Sequence, residues 1–326
     1  GVFVPQNVRS CRRSLSHRDW QKDELEELRG RDGISGDIDN SYDEVKLLKQ
    51  RYLEGEVKPL EAILDPTFSK NLVILGDPGS GKSTFLKWIA LKWAELLENS
   101  PEKRISEPIP LIIELRQYIQ DWRESQCDFL QFLHRGSNAI CHLNQNNLDE
   151  ELGRGYACVM FDGLDEIFDE RERETIKHSI GRFARQYSKV QVIVTSRPIG
   201  YDDNKLSDEG FEHFMLQDFE DEQIDNFSEQ WHQQTYLDDV VERDEKKERL
   251  TNSLEISPPV KLLARNPLLL TLMSILNRYQ ELPRDRAELY EDAARLLLFQ
   301  WDREAKKLTL PVLQQLTYKD KARILQ

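Results

Sequence analysis

Cysteine is scarce: Cys11, Cys127, Cys141 and Cys158 are the only four in 326 residues, and no two form a C-x-x-C pair. A disulfide scaffold is therefore excluded, and reduced thiols in a cytosol fit better, so a cytoplasmic location is expected. Cys127, His134, Cys141 and His142 cluster in the chain, but their spacing matches no zinc signature. Long apolar runs are also missing. No stretch approaches the roughly 18 to 20 residues that span a bilayer, and no signal peptide opens the chain, so no membrane association is expected. Basic residues are outnumbered, 45 against 59 acids, for a formal net charge of -14. A surface of that sign repels a phosphate backbone, so no direct nucleic-acid binding is expected. The basic run holding Arg9, Arg12, Arg13 and Arg18 reads as a solvated segment. Repeats and low-complexity segments are absent. The chain opens at Gly1 and stops at Gln326 inside a helix-like run, the pattern of a piece cut from a longer protein.

What is present centres on Gly76-Asp77-Pro78-Gly79-Ser80-Gly81-Lys82-Ser83-Thr84. This G-x-x-x-x-G-K-S pattern follows the apolar run Asn71 to Leu75 and precedes the helix-like run Phe85 to Leu97, the setting of a phosphate-binding loop. Glycine at 76, 79 and 81 lets the backbone turn tightly, so that amide N–H groups converge on phosphate oxygens at a helix N-terminus. Lys82 is suited to the β and γ phosphates, and the Ser83 hydroxyl to Mg²⁺.

Strand and helix patterns alternate around this loop. After the strand at 71–75, a helix apolar around most of its circumference is expected to be buried. Strands follow at Pro108–Leu115, Tyr156–Phe161, Val190–Thr195 and Phe211–Leu216, with helices at Phe129–Ile140 and Glu170–Tyr187. The fold class read from this order is α/β: a P-loop nucleoside triphosphatase with a five-stranded, doubly wound parallel sheet over residues 69–218. Residues 1–68 read as a leader, with a short strand or extended arm at Val2–Pro5, a short acidic helix at 23–30, a loop at 31–40 and one or two helices over 42–64. Beyond Leu216 the strand patterns stop. Residues 219–326 read as a helical domain cut short, with Asn266-Pro267 interrupting one helix, Asp285 capping another, and 239–249 as a solvated helix face or loop.

The third strand ends in Asp162-Gly163-Leu164-Asp165-Glu166. An acid at the tip of the strand beside the phosphate loop suits Mg²⁺, which assigns the metal to Ser83 and Asp162. Glu166 is the expected general base that activates a water, with Asp165 assisting the metal or the water. Strand four ends in Thr195-Ser196-Arg197-Pro198. Arg197 stands where doubly wound folds bind ligands and is placed to sense a γ phosphate; the competing reading is a salt bridge to a neighbouring acid.

Together these motifs resemble the NACHT family of STAND nucleoside triphosphatases, over residues 71 to about 302 and on the bacterial side of that family. The resemblance rests on residues 76–84, on Gly163 after Asp162 with the acidic pair Asp165-Glu166 behind it, on residues 195–198, and on Asn266-Pro267-Leu268-Leu269-Leu270. It implies a nucleotide-binding domain followed by a helical domain, with winged-helix and sensor regions outside this chain. Pro267 would then contact bound nucleotide from the helical side. It also implies a nucleotide-gated signalling switch that hydrolyses slowly, self-associates when activated, answers a ligand sensed outside this fragment, and serves prokaryotic antiviral defence. An AAA+-like remodelling ATPase and a structural nucleotide scaffold are the alternatives. Neither L-S-G-G-Q nor N-K-x-D occurs. The cofactors implied are ATP or ADP with Mg²⁺; ATP is preferred, and GTP stays open.

Overall fold

The computed structural model describes residues 2–11, 55–64, 71–99, 108–140, 142–199, 201 and 204–305. The helices expected at 23–30 and 308–326, the loop at 31–40 and the first part of the 42–64 stretch lie outside these residues. The chain divides into two compact units, one of Pro5–Gln217 and one of Gly1–Val4 with Asp218–Gln326.

In the first unit seven strands form one sheet. They are β1 (Asn7–Ser10), β2 (Val57–Pro59), β3 (Leu72–Leu75), β4 (Ile109–Glu114), β5 (Ala157–Asp162), β6 (Gln191–Ser196) and β7 (Glu212–Leu216), in the order β2-β1-β7-β3-β6-β5-β4. From β7 to β4 every pairing is parallel, so the five expected strands are all present. The sheet is nonetheless wider than five strands. Residues expected to form a leader supply β1, which pairs antiparallel with β7 (Val8 opposite Leu216), and β2, which pairs antiparallel with β1. The physical reason is the edge: without β1, β7 would present an unpaired row of backbone donors and acceptors. Where helices were expected near residue 60, Val57–Pro59 is strand and Leu60–Ile63 a single 3-10 turn.

A second correction concerns strand order. β5 is not beside the phosphate-loop strand, because β6 lies between β3 and β5. The helices of this unit are α1 (Lys82–Asn99), α2 (Leu115–Ser125), α3 (Phe129–Arg135), α4 (Gln145–Arg154), α5 (Glu170–Gln186) and α6 (Asn204–Asp208), and α5 connects β5 to β6. Helices α2 and α4 have no counterpart in the expectations above. Helix α1 also departs from them. Phe85, Leu86, Ile89 and Trp93 face inward, but Leu91 is 64% exposed, and Lys87 and Lys92 pair with Glu114 and Glu61, so only one face is buried.

The core of this unit is largely Val, Leu and Ile, with a group of packed aromatic rings within it. Phe161 of β5 packs on Phe129 (centroids 4.6 Å apart) and edge-on to Phe183 (5.9 Å), and Tyr118 stacks obliquely on Phe129 at 4.8 Å. Tyr118 donates its hydroxyl to the Cys127 carbonyl at 2.7 Å, so this buried phenol keeps a partner. Burial of β5 is complete enough that the Cys158 thiol is pushed well above its ordinary pKa by desolvation alone.

The second unit is helical among its described residues: α7 (Asp221–Thr235), α8 (Val240–Ile256), α9 (Pro258–Ala264), α10 (Pro267–Asn277) and α11 (Arg286–Ala305). Leu250, Leu254, Val260, Leu263, Leu270, Met273 and Leu289 form its core. The charge run at 239–249 is helical, since α8 turns Leu250 and Leu254 inward and its charges outward. Asn266 caps α10 by accepting from Leu268 and Leu269 N–H at 3.0 and 3.2 Å, and Asp285 caps α11 likewise. Helices α9 and α10 are bent by 117° at this break, and among the described residues no single helix is long and apolar enough to cross a membrane.

Candidate nucleotide site

The phosphate loop runs from the carboxyl end of β3 into α1. Gly79 and Gly81 have φ of 77° and 97°, a region that side-chain-bearing residues rarely adopt. Gly76 answers a different constraint, since a Cβ there would meet Ser80 Oγ at 2.5 Å. The Gly76 N–H donates to the Ser196 carbonyl at 3.2 Å, which ties the loop to the end of β6. The first-turn N–H groups of α1, those of Lys82, Ser83 and Thr84, have no intrahelical acceptor by helix geometry, as anion binding requires. The Ser80 hydroxyl is buried with no protein partner, although Ser80 N–H bonds to the Asp77 carbonyl at 3.1 Å. Pro78 lies within the turn that Asp77 and Gly79 flank.

Lys82 donates to the carbonyls of Gly76 at 2.5 Å and Asp77 at 3.0 Å. Burial lowers its pKa, and the nearby carboxylates of Asp165, Asp77 and Asp162 oppose that shift while Arg197 adds to it. The lysine therefore sits in a field set by the same acids that the sequence singles out.

Those acids hang from β5 and the turn behind it. Gly163 takes φ 79° and opens a 3-10 turn over Leu164–Glu166, and a Cβ there would come within 3.2 Å of the Glu166 side chain. Only a residue without a side chain fits both constraints. Thr195, on β6, bridges the gap between the strand tips: it accepts from Gly163 N–H at 2.9 Å and donates to Asp162 Oδ1 at 2.6 Å. Asp162 keeps Oδ2 clear of any described protein donor.

A cavity of about 390 Å³ gathers Ser83, Asp162 and Glu166 with Glu114, Arg116 and Asn138. Glu114, at the tip of β4, stands opposite Asp162 in register, receives Gln117 at 2.7 Å and pairs with Lys87 at 3.5 Å. Asn138 is pinned to the carboxylate of Asp121 in α2 through its backbone and side-chain nitrogens, both at 3.2 Å, and Ser137 donates to the same carboxylate. Burial raises the Glu166 pKa, helped by Asp165 and Asp162, and Arg116 opposes the rise more strongly than Arg197 does. A carboxylate whose pKa is raised above the ordinary glutamate value suits a proton acceptor.

Of the expected site residues, the fold brings 76–84, Asp162, Asp165, Glu166 and Arg197 to the carboxyl edge of β3, β6 and β5. Asp165 is turned to Arg197, which makes the salt bridge to a neighbouring acid given above as its competing reading: Oδ2 pairs with Nε at 2.9 Å and Oδ1 accepts from the backbone N–H at 3.0 Å. Pro267 belongs to the helical unit, where it is the first residue of α10, a position that needs no backbone donor. Glu114, Arg116 and Asn138 were not anticipated. Neither was Gln6, whose Oε1 would lie 3.0 Å from a Cβ at Gly81.

The residues fit a Mg²⁺-bound triphosphate. The loop offers N–H donors and a lysine to the anion, and Ser83 with Asp162 offers hard oxygen donors to a cation that takes its other ligands from phosphate and water.

No curated protein matches the chain. The solved structure of C. elegans PCH-2 is similar over 64% of this chain and 62% of its own length, at 12% identity and a TM-score of 0.37. This chain thus covers less than two thirds of that protein. The family model of the NACHT domain matches residues 70–235, from the strand that enters the phosphate loop to the end of α7. That span is just over half of the chain, which belongs to the NACHT family of nucleotide-binding nucleoside triphosphatases.

Proposed function

We propose that the chain is an ATP-driven switch: it holds Mg²⁺-ATP in preference to GTP, hydrolyses it slowly, and self-associates in the triphosphate state. The observation that carries this reading is the single cavity that joins Ser83 and Asp162 to Glu166. Ser83 and Asp162 would hold the cation, which would supply positive charge to offset that of the phosphates when bound. Lys82 leaves the carbonyls of Gly76 and Asp77 for the phosphates. Glu166 accepts the proton of the water that attacks the γ phosphorus, and Arg197 contacts the γ phosphate.

Magnitudes favour a switch. Moving a two-state equilibrium from 1:99 to 99:1 needs about 5.5 kcal/mol of differential binding. Two or three charge-assisted bonds to the γ phosphate, at roughly 1.5 to 3 kcal/mol each, are of that size. A cytoplasmic sensor in prokaryotic defence is the role that the family resemblance supports.

The test uses the full chain: identify copurified nucleotide, then measure turnover and molecular mass with ATP and ADP. Lys82→Ala is expected to lose nucleotide. Glu166→Gln is expected to retain ATP and to shift toward larger species. Rapid turnover by a monomer whose mass is the same with either nucleotide points to a remodelling ATPase, and unchanged behaviour of Glu166→Gln points to a scaffold; either result overturns the switch.

A further inference from the structure

Asp165 and Glu166 are adjacent acids on one 3-10 turn, yet their surroundings diverge. Glu166 lines the cavity with Ser83 and Asp162, whereas Asp165 is turned to the end of β6 with its side chain only 14% exposed. Its two oxygens grip Arg197 at two places, Oδ1 at the backbone N–H (3.0 Å) and Oδ2 at Nε (2.9 Å). A guanidinium paired through Nε has its rotation about the last side-chain bonds restricted; one Nη N–H then runs parallel to Nε–H, and the end-on pair of Nη N–H groups points away from the carboxylate. Among the described residues none takes those Nη nitrogens. The far end of the same segment is also fixed: buried Tyr201 bonds His213 Nε2 at 2.8 Å and lies under Lys177 Nζ at 5.1 Å from its ring centre.

We infer that Asp165 is a positioning residue for Arg197: it fixes the guanidinium by Nε so that the Nη fork is presented to the γ phosphate, and it takes no part in metal binding or water activation. The inference rests on the nucleotide reading above and deepens it. A carboxylate whose two oxygens already serve one arginine is a poor cation ligand, while Asp162, with one oxygen given to Thr195, is not so committed. The pairing also accounts for two acids in sequence on one turn, since one holds the arginine and its neighbour serves the water. Fixing a long, rotamer-rich side chain before the ligand arrives removes an ordering cost that would otherwise weaken each phosphate contact.

Two measurements on the full chain test this. The first is the Arg197 Nε–H resonance in protein carrying ¹⁵N-arginine, assigned by its loss in Arg197→Lys. In the wild type a slowly exchanging signal is expected without nucleotide, and Asp165→Asn is expected to remove most of its protection, because the neutral amide has one acceptor oxygen for the two Arg197 groups that the carboxylate serves, the backbone N–H and Nε. The second is the ratio of ADP to ATP dissociation constants for wild type, Asp165→Asn, Arg197→Ala and the double variant. Each single change is expected to cut the preference for ATP by about tenfold or more, the worth of one charge-assisted bond. The double variant is expected to lose no more than either single one, since Asp165 acts through Arg197. An Nε–H signal whose protection survives Asp165→Asn, or an Asp165→Asn loss of equal size with and without Arg197, overturns the positioning role. A wild type with no preference for ATP, or one that Arg197→Ala leaves unchanged, instead overturns the nucleotide reading on which this role depends.

Discussion

The two halves of β5 do opposite things with the same backbone. From Ala157 to Phe161 every residue is buried, aromatic rings close around Phe161, and the Cys158 thiol is held neutral by desolvation. One residue later Asp162 is half-buried, and the turn behind it carries two more carboxylates toward Lys82, Arg116 and Arg197. The first half lowers free energy by excluding water, and its side chains cover one another with nothing left to bind. The second half is charged and half-satisfied, with Glu166 shifted upward and the Ser80 hydroxyl nearby left without a protein partner. A strand can support both because the apolar half makes the position of Asp162 independent of what the polar half binds.

That contrast separates under mutation. At the polar end Glu166→Gln is expected to slow turnover by about 10²- to 10⁴-fold, the usual worth of a general base, while ATP binding persists. Folding should not suffer. Because burial raises the pKa of Glu166 in the folded protein, its charged form is disfavoured there, so the stability it contributes is present at low pH and is lost as pH rises through that raised value. Glutamine is therefore expected to match or exceed wild-type melting temperature at neutral pH, and the gain should vanish in acid. Single-turnover kinetics and thermal melts at two pH values check both statements. A variant that unfolds earlier at neutral pH makes Glu166 a structural group.

At the apolar end Phe161→Ala is expected to reverse the pattern. The ring is fully buried against Phe129 and Phe183, so its removal should cost about 3 to 5 kcal/mol in urea unfolding. Turnover per folded molecule should change far less. A Phe161→Ala protein of wild-type stability but lost hydrolysis would break the division of β5 proposed here.

How much of this was legible beforehand follows from where the information lies. The phosphate loop, the Asp162 to Glu166 turn and the five parallel strands are written in consecutive residues, as glycine at fixed offsets or as short, mostly apolar runs. Strand order is not local. The insertion of β6 between β3 and β5, and with it the bridging role of Thr195, depends on where α5 crosses. The pairing of β1 with β7 joins residues more than 200 apart, and no periodicity in either strand signals it. Helix α2 is a different failure, because Leu115, Tyr118, Ile119 and Trp122 do follow helical spacing. With that helix overlooked, Arg116 in its first turn could not be placed in the cavity with Asp162, and Glu114 comes to Asp162 only through the pairing of β4 with β5. Asp165 and Arg197 were each singled out, but their bond spans 32 residues and shows only in three dimensions.

The smallest effect expected is also the most direct check on that overlooked helix. Glu166 is pushed up by burial and by Asp165 and Asp162, and Arg116 is the strongest opposing charge. In the proposed mechanism the carboxylate is the reactive form, so kcat/KM should fall as pH drops through the raised pKa, with an acid limb above the ordinary glutamate range. Removing the cation in Arg116→Ala leaves burial and the two aspartates unopposed on that side. The acid limb should then move further up in pH while the plateau changes little, and Arg116→Lys, which keeps the charge, should hold it near the wild-type position. High salt should shrink the difference between the two variants, because Arg116 is exposed and its field is screened over about 10 Å at 0.1 M. An acid limb that is the same in all three proteins would mean that Arg116 faces the cavity without acting on Glu166. A limb that moves down in Arg116→Ala would show that the arginine supports the neutral form of the acid, the reverse of what its charge at this edge should do.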